Sequence, residues 1–475
     1  MIHKDANQSG GYSAPETVLQ IGEGNFLRAF ADYILERANT QGIYSGKAVL
    51  VQPIAAGNCE KINAAKGEYT VLMRGLENGQ VVENAARIHS VSRCINPYED
   101  YAAFLACAEN PGLQIVISNT TEAGITFTGK DAYVDAPPAA FPAKMAVFLH
   151  KRYQFFGGDA EKGLFFLPVE LIEDNGKKLK EAIVAYAKLW ELEEGFLRWL
   201  DAACCFANTL VDRIVTGFPA GEQDEIFASL GYDDPLLVTA EPFLFWAIEC
   251  PKEWAKHFPV DKLGLDIVFA RDITPYRLRK VRILNGAHTL SVLEAYLAGH
   301  NIVLDMMRDP KFNDRIQKAM FQEIIPTLPL PMEELEGFAN AVLERFANPF
   351  IKHRLLDISL NSVSKFKARC LPTLLDYLAA YGRLPPLLCR ALAALIVFYR
   401  GEWENGKYYG NRADERYEIR DDEENLKSFS AAWRGESPVR DILSCERLWG
   451  MDLCAVPGLC ACVESHIVNN QLKGI

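Results

Sequence analysis

Two regimes of apolar spacing divide the chain. Up to about residue 274, short apolar runs of strand length alternate with helical stretches and turns. Thr17–Ile21, Lys47–Ile54, Leu113–Ser118 and Gly163–Ile172 read as strands, and Leu265–Arg271 as a short last one. Tyr69–Arg74 and Val81–Ser90 read as two more, joined in a hairpin through Asn78-Gly79. Helical spacing is expected over Tyr98–Ala108, over Pro142–Tyr153 and from about Lys177 to Trp190. From Pro275 onward the pattern is almost wholly helical, punctuated at Asp309-Pro310, Pro326–Pro331, Pro349, Pro372 and Pro385-Pro386. Asp414–Glu424, charged at nearly every position, reads as a solvated loop or helix face.

The first strand runs into Gly22-Glu-Gly24-Asn-Phe26-Leu-Arg28, and a helix follows with Phe30, Tyr33, Ile34 and Leu35. Strand, glycine turn and helix N-terminus together form a cradle for a dinucleotide pyrophosphate. The third glycine of a G-x-G-x-x-G is missing, and Leu27 stands there. The fold class is therefore α/β: a Rossmann-like N-terminal domain over 1–274 and a mostly α-helical C-terminal domain over 275–475. Candidate cofactor contacts are Gln20, Ile21, Gly22, Glu23, Gly24, Asn25, Phe26, Leu27 and Arg28 around the turn. Gln52, Asn119 and Thr120 join them, because ligands of open α/β sheets sit beyond the carboxyl ends of the strands. Glu122, in the same turn as Thr120, is a candidate substrate contact. The second strand ends in Gln52-Pro-Ile-Ala, with neither the acid that would mark NAD nor an arginine that would mark NADP.

The second region opens on Lys280-Val-Arg-Ile-Leu-Asn285-Gly-Ala-His288. On a regular helix, at about 100° per residue, Asn285 lies roughly 140° round from Lys280 and His288 roughly 80°. One side of one helix would then present an amine, an amide and an imidazole. Lysine can give or take a proton at a substrate oxygen, and an asparagine amide can donate to that oxygen as it becomes alkoxide-like. Gly286 interrupts the helix and would let something approach its backbone closely.

The run KVRILNGAHT resembles the Lys-x-x-x-x-Asn-x-x-His signature of the polyol-specific long-chain dehydrogenases, the mannitol dehydrogenase family. GEGNFLRAF is similar to that family's Gly-x-Gly-x-Phe-His-Arg turn, with Leu27 at the histidine position, as in its uronate branch. Asn208-Thr-Leu-Val-Asp212-Arg213-Ile resembles the family's Asn-x-x-Val-Asp-Arg-Ile, and Asn348-Pro-Phe-Ile-Lys352-His353 resembles the uronate branch. The likeness spans nearly the whole chain. It implies NAD as cofactor and a small sugar acid as substrate, with hydride transfer at a ketone or alcohol carbon. It implies Lys280 as general acid/base, Asn208 and Asn285 around the substrate oxygen, His288 as a positioning group, and no metal. Lys352 and His353 are the candidates for the substrate carboxylate, in a basic run that also holds Lys365, Lys367 and Arg369. Asp212 and Arg213 are read as structural. Another branch of the family, acting on a different uronate or on a polyol, is the nearest alternative. A non-catalytic nucleotide sensor is the alternative of a different class.

The net charge of −12 over 475 residues argues against nucleic acid or an anionic membrane as partner, and it means that an anionic substrate needs a local cationic pocket. The longest apolar run, Ala391–Tyr399, has the length of a core helix rather than of a membrane span. The N-terminus lacks the apolar core of a signal peptide, and a cytoplasmic protein is expected. The twelve cysteines are scattered, mostly in apolar company, and are expected to be reduced. Cys460-Ala-Cys462 is a weak metal pattern with no second pair nearby.

Overall fold

A computed structural model describes residues 2–4, 11–121, 123–413 and 415–468. The chain separates into two compact units, Met1–Ile273 and Thr274–Ile475.

The first unit is built on a parallel sheet of six strands: β1 (Glu16–Ile21), β2 (Lys47–Val51), β3 (Val91–Ile95), β4 (Ile115–Ser118), β5 (Phe165–Pro168) and β6 (Cys205–Phe206). Their order across the sheet is 3-2-1-4-5-6. The chain winds outward from β1 through β2 and β3, then returns to lay β4 on the other side of β1. Neighbouring loops therefore diverge above the β1–β4 seam and leave a crevice there. Both faces are covered. Val18, Leu50, Ile115, Ile117 and Leu167 feed one core, and Leu19, Ile21, Val49, Val116 and Phe166 feed the other. This accounts for the nearly continuous apolar runs, since a strand buried on both sides has no polar face to alternate. Each such side chain stabilises the sheet by about 1.5–3 kcal/mol through burial.

The hairpin lies where the pattern predicts it: Tyr69–Glu77 pairs with Gln80–Ile88 through Asn78 and Gly79, both at positive φ (53° and 73°). It belongs to a second, five-stranded sheet, and Asn208–Asp212, Phe245–Glu249 and Asp266–Ala270 form a third. Helices Phe141–Phe155 and Asn175–Leu189 pack beside the main sheet. The Gly163–Ile172 run is strand only over Phe165–Pro168, and Tyr98–Ala108 is helical only over Tyr101–Ala106 before a 3-10 turn.

The second unit is mostly helical around Gly286–Leu297, a helix buried along nearly its whole length and packed on Pro386–Phe398. The latter contains the long apolar run, and no described helix is long and apolar enough to cross a membrane. Three expectations need correcting here. Gly401–Glu404, Lys407–Arg412 and Glu415–Glu418 form an antiparallel sheet, so the charged stretch begins as a strand. Its inward positions, Tyr408 and Tyr417, are buried; Glu415 and Arg416 are exposed, while Arg412 folds inward over the Tyr296 ring and donates to Tyr296 O and His300 O. Cys454 and Cys460 are joined in a disulfide, so not every cysteine is reduced. Finally, the helix around Lys280 is not regular.

Candidate active site

In the first unit the glycine turn is held by its own neighbours. Gly22 has φ +119°, donates to Val51 O at 2.8 Å, and has Asn119 O 3.1 Å from where a Cβ would stand, so only glycine fits without strain. Gly24 faces open space, with nothing within 4 Å of a Cβ, which is the room a pyrophosphate needs to approach the backbone. Leu27 is buried against Gly22. Ile21, Gly22 and Glu23 are buried, Gly24 and Asn25 exposed, and Phe26 stacks on Phe30 at 5.1 Å.

Most polar side chains near the turn are engaged inward. Gln20 Nε2 donates to Gly22 O at 3.1 Å and to Asp32 Oδ2 at 3.5 Å. Glu23 Oε1 accepts from Asn58 N at 3.3 Å, and burial raises its pKa. Gln52 donates to Ile54 O and Ala55 O at 2.9 and 3.0 Å, and accepts from Cys59 N at 3.2 Å, which shapes the loop after β2. Arg28 donates to Leu236 O and to Asn25 Oδ1, the latter at 2.7 Å. The helix after the turn is broken. Asn25–Ala29 ends at Phe30 (φ −121°, ψ −75°) and Ala31–Thr40 begins afresh. Carbonyls freed at the break are taken by Arg213, which donates to Ala29 O at 2.7 Å, and by Tyr69, which donates to Arg28 O at 3.2 Å. Behind the turn Asp32 is wholly buried. Burial pushes its pKa up to about 7, against hydrogen bonds from Tyr69 (2.6 Å) and Gln20 and the Arg28 charge.

Beyond β4, Asn119 donates to Val169 O at 3.5 Å, and Thr120 N and Oγ1 both donate to Glu170 Oε1, at 2.9 and 3.0 Å. Glu170 also accepts from Ser118 Oγ at 3.1 Å. Sequence reasoning missed this buried carboxylate, which ties the β4 and β5 loops together at the crevice. Glu122 lies outside the described residues. Asn208 donates to Glu249 Oε1 and accepts from Lys177 N, each at 3.1 Å. Nearby Asn175 is fully buried and bridges Pro168, Glu170 and Thr209.

In the second unit, Thr274–Arg279 is α-helical, Lys280–Asn285 is a π turn, and Gly286–Leu297 is α-helical again. The π segment begins at the lysine and ends at the asparagine. In an i→i+5 turn, positions five apart come back nearly over one another, so the regular-helix angle of roughly 140° between them does not hold. Gly286 does not interrupt the helix. A Cβ there would meet Val281 O, Arg369 O and Ile324 Cδ1 at 3.6–3.9 Å, ordinary contact. Lys280, Asn285 and His288 are all partly exposed.

His288 is stacked on Phe346 (centroids 4.1 Å, 18°) and meets His353 edge-on at 5.6 Å. The His353 backbone is pinned by Val303 N at 3.0 Å, with Leu355 N held on Asn301 O at 2.9 Å. Burial, followed by the charges of His353, Arg345, Arg369 and Lys365, drives the His288 pKa well below the usual histidine value, so the ring is neutral at physiological pH. Lys352 is exposed. Thr289 Oγ1 donates to Asn285 O at 2.8 Å and accepts from Arg369 Nη1 at 3.4 Å. Thus of the basic run His353, Arg369 and Lys365 converge towards His288; sequence reasoning named only the first as a site residue. Among the described residues no group of three or more His, Cys, Asp or Glu is placed to hold a metal.

The 3-2-1-4-5-6 sheet with a glycine turn at its reversal defines a dinucleotide-binding fold. Residues 16–262 match the mannitol dehydrogenase Rossmann domain and residues 272–469 the mannitol dehydrogenase C-terminal domain, and the chain belongs to that family. An altronate oxidoreductase of Klebsiella pneumoniae is 44% identical over 458 residues, 94% of this chain and 93% of the relative. One of Bacteroides thetaiotaomicron is 43% identical over 97% of this chain and 95% of the relative. Among solved structures, a D-sorbitol dehydrogenase in substrate-free form is 20% identical with TM-score 0.80, covering 100% of this chain and 97% of that one. A Pseudomonas fluorescens mannitol 2-dehydrogenase, in ternary complex with NAD and D-mannitol, is 22% identical with TM-score 0.63, covering 100% and 96%. Both share the fold.

Proposed function

We propose that the protein is a cytoplasmic oxidoreductase that interconverts D-tagaturonate and D-altronate with NAD(H). The observation that carries this reading is the kinship, at 43–44% identity over 94–98% of the chain, with altronate oxidoreductases. Two features of the molecule support it. The open face at Gly24 suits a dinucleotide pyrophosphate, and the cations around His288 suit an anionic sugar. When bound, the nicotinamide would supply or accept the hydride. The residues around the β1 turn would hold the dinucleotide through backbone N–H groups, because the side chains of Gln20, Leu27 and Arg28 are engaged within the unit.

In the reducing direction Lys280 Nζ delivers a proton to the nascent alkoxide oxygen, and the Asn285 amide, one π turn away, donates to the same oxygen. Neutral His288, fixed between Phe346 and His353, has one ring nitrogen to donate and one to accept, which orients a sugar hydroxyl. Asn208, in the first unit, keeps a second Nδ2 proton beyond the one given to Glu249. Oxidation of the alcohol releases a proton, so it is favoured as pH rises, and reduction as pH falls. The test is to follow NADH absorbance with tagaturonate, fructuronate and fructose. Tagaturonate should give the highest kcat/KM. A higher value with fructuronate or fructose would move the protein to another branch, and NADH binding without turnover of any of them would make it a sensor.

A further inference from the structure

The cations of the helical unit fall into two sets. Arg279 meets Glu334 at 2.7 Å, Arg282 meets Asp376 at 2.5 Å and Arg390 meets Glu294 at 2.6 Å. Lys365 and Arg369 stand one turn apart on helix Ser362–Arg369, half-buried, and among the described residues neither forms an ion pair with a carboxylate. Lys365 Nζ donates to Ile358 O at 2.8 Å. Arg369 has one long bond to Thr289 Oγ1 at 3.4 Å, which leaves most of its five N–H groups unused. Asp421, whose charge reaches Lys365, is engaged elsewhere, by the Tyr399 hydroxyl, Val363 N and Asn425 Nδ2. In a chain with twelve more acids than bases, two adjacent half-buried cations without a counter-charge are a costly arrangement unless an anion arrives from outside. Both charges bear on His288, and the Thr289 hydroxyl that accepts from Arg369 also ties to Asn285 O.

We propose that Arg369, supported by the Lys365 ammonium, receives the substrate carboxylate through paired N–H···O bonds, and so selects sugar acids over neutral sugars. The proposal rests on the functional reading above for the identity of the acid. A guanidinium suits the task because its planar fork matches the two carboxylate oxygens. Thr289 tethers one arm next to His288 and Asn285, so the carboxylate is fixed at a set distance from the reacting oxygen.

The experiment compares wild type, Arg369→Gln and Arg369→Lys on tagaturonate and on D-tagatose, which has a hydroxymethyl group where tagaturonate has its carboxylate. For Arg369→Gln, kcat/KM on tagaturonate should fall on the order of 10²-fold, chiefly through KM. The loss on tagatose should be at least about tenfold smaller than the loss on tagaturonate, and Arg369→Lys should recover part of the latter. Equal losses on both substrates, or none on tagaturonate, would overturn the assignment. Calorimetric titration with D-gluconate at saturating NADH gives a readout free of turnover: binding should be present in wild type and lost in Arg369→Gln, and gluconate binding that survives the substitution, or is absent from wild type, counts against it. If wild type binds gluconate through Arg369 yet turns over no uronate, the functional reading falls and the anion site stands. If tagaturonate is reduced equally well by wild type and Arg369→Gln, the reverse holds.

Discussion

Each unit keeps an awkward buried charge near its working surface, and the two deal with it differently. Behind the glycine turn, Asp32 is wholly enclosed, and among the described residues its Oδ1 has no hydrogen-bond partner. It can shed its charge by taking a proton, and its pKa of about 7 shows that burial has moved it most of the way. In the helical unit, Arg369 is half-buried, among the described residues no acid pairs with it, and it has no such exit, because a guanidinium stays protonated even when burial lowers its pKa. A titratable group lets the fold settle the matter internally; one that cannot titrate leaves the charge for a ligand to meet. The same contrast holds for the sites at large. Around the turn the side chains stabilise the backbone, and in the proposed function it is the backbone that would meet the ligand. Around the π turn Lys280, Asn285 and His288 are partly exposed, and in the proposed function the side chains themselves react.

The sharpest way to break this contrast is at Lys280. If chemistry resides in the side chains of the second unit, Lys280→Ala should lower turnover by about 10²–10⁴-fold, the usual size of a lost proton transfer. NADH affinity, a property of the other unit, should change by no more than a few-fold. A variant with near-normal kcat, measured with tagaturonate at saturating NADH, would remove lysine from the mechanism.

Asp32 tests the other half of the comparison through stability. Its folded pKa, about 7, lies above the ordinary 3.8, so the native state holds a proton that the unfolded chain has released. The destabilisation is absent below about pH 4, grows between about 4 and 7, and is complete above 7. A shift of about three pKa units corresponds to at most about 4 kcal/mol. Asp32→Asn keeps an acceptor for the Tyr69 hydroxyl and removes the titration. Relative to wild type it should therefore gain denaturant resistance at pH 8 and little at pH 4. Parallel pH profiles for the two proteins would show that Asp32 is ionised in the fold at no cost.

Much of the first unit was legible because its signals are local. Strand-length apolar runs follow from burial on both faces of the sheet, and a glycine pair after the first of them and Asn-Gly between two more are direct consequences of backbone sterics. What escaped depends on partners distant in sequence. Glu170 is unremarkable as a letter and becomes a tether only because Thr120 lies beside it. The sheet over Gly401–Glu418 was hidden by its outward charges, which made the spacing of Tyr408 and Tyr417 easy to pass over. Arg369 was visible as one of several bases, but that no described acid pairs with it is a fact about three dimensions. The π turn was lost for another reason: counting at 100° per residue assumes the regularity that the turn breaks.

Gly286 gives the smallest and most discriminating prediction, because sequence and structure explain it differently. Read as a letter, a glycine next to Asn285 suggests a ligand or a neighbouring backbone pressed against the helix. In the structure a methyl group there would find Val281 O at 3.6 Å and Arg369 O at 3.7 Å, and its backbone is right-handed helical (φ −63°, ψ −46°), which alanine adopts without strain. Steric need is therefore absent within this unit, and alanine recovers about 1 kcal/mol of helix propensity that glycine forgoes. Gly286→Ala should shift unfolding stability by about 1 kcal/mol or less and leave turnover within a few-fold. If turnover instead collapses while the fold holds, the glycine is keeping room for something the unit does not itself contain. The working surface of the second unit would then include backbone as well as side chains, as is proposed for the first unit at Gly24.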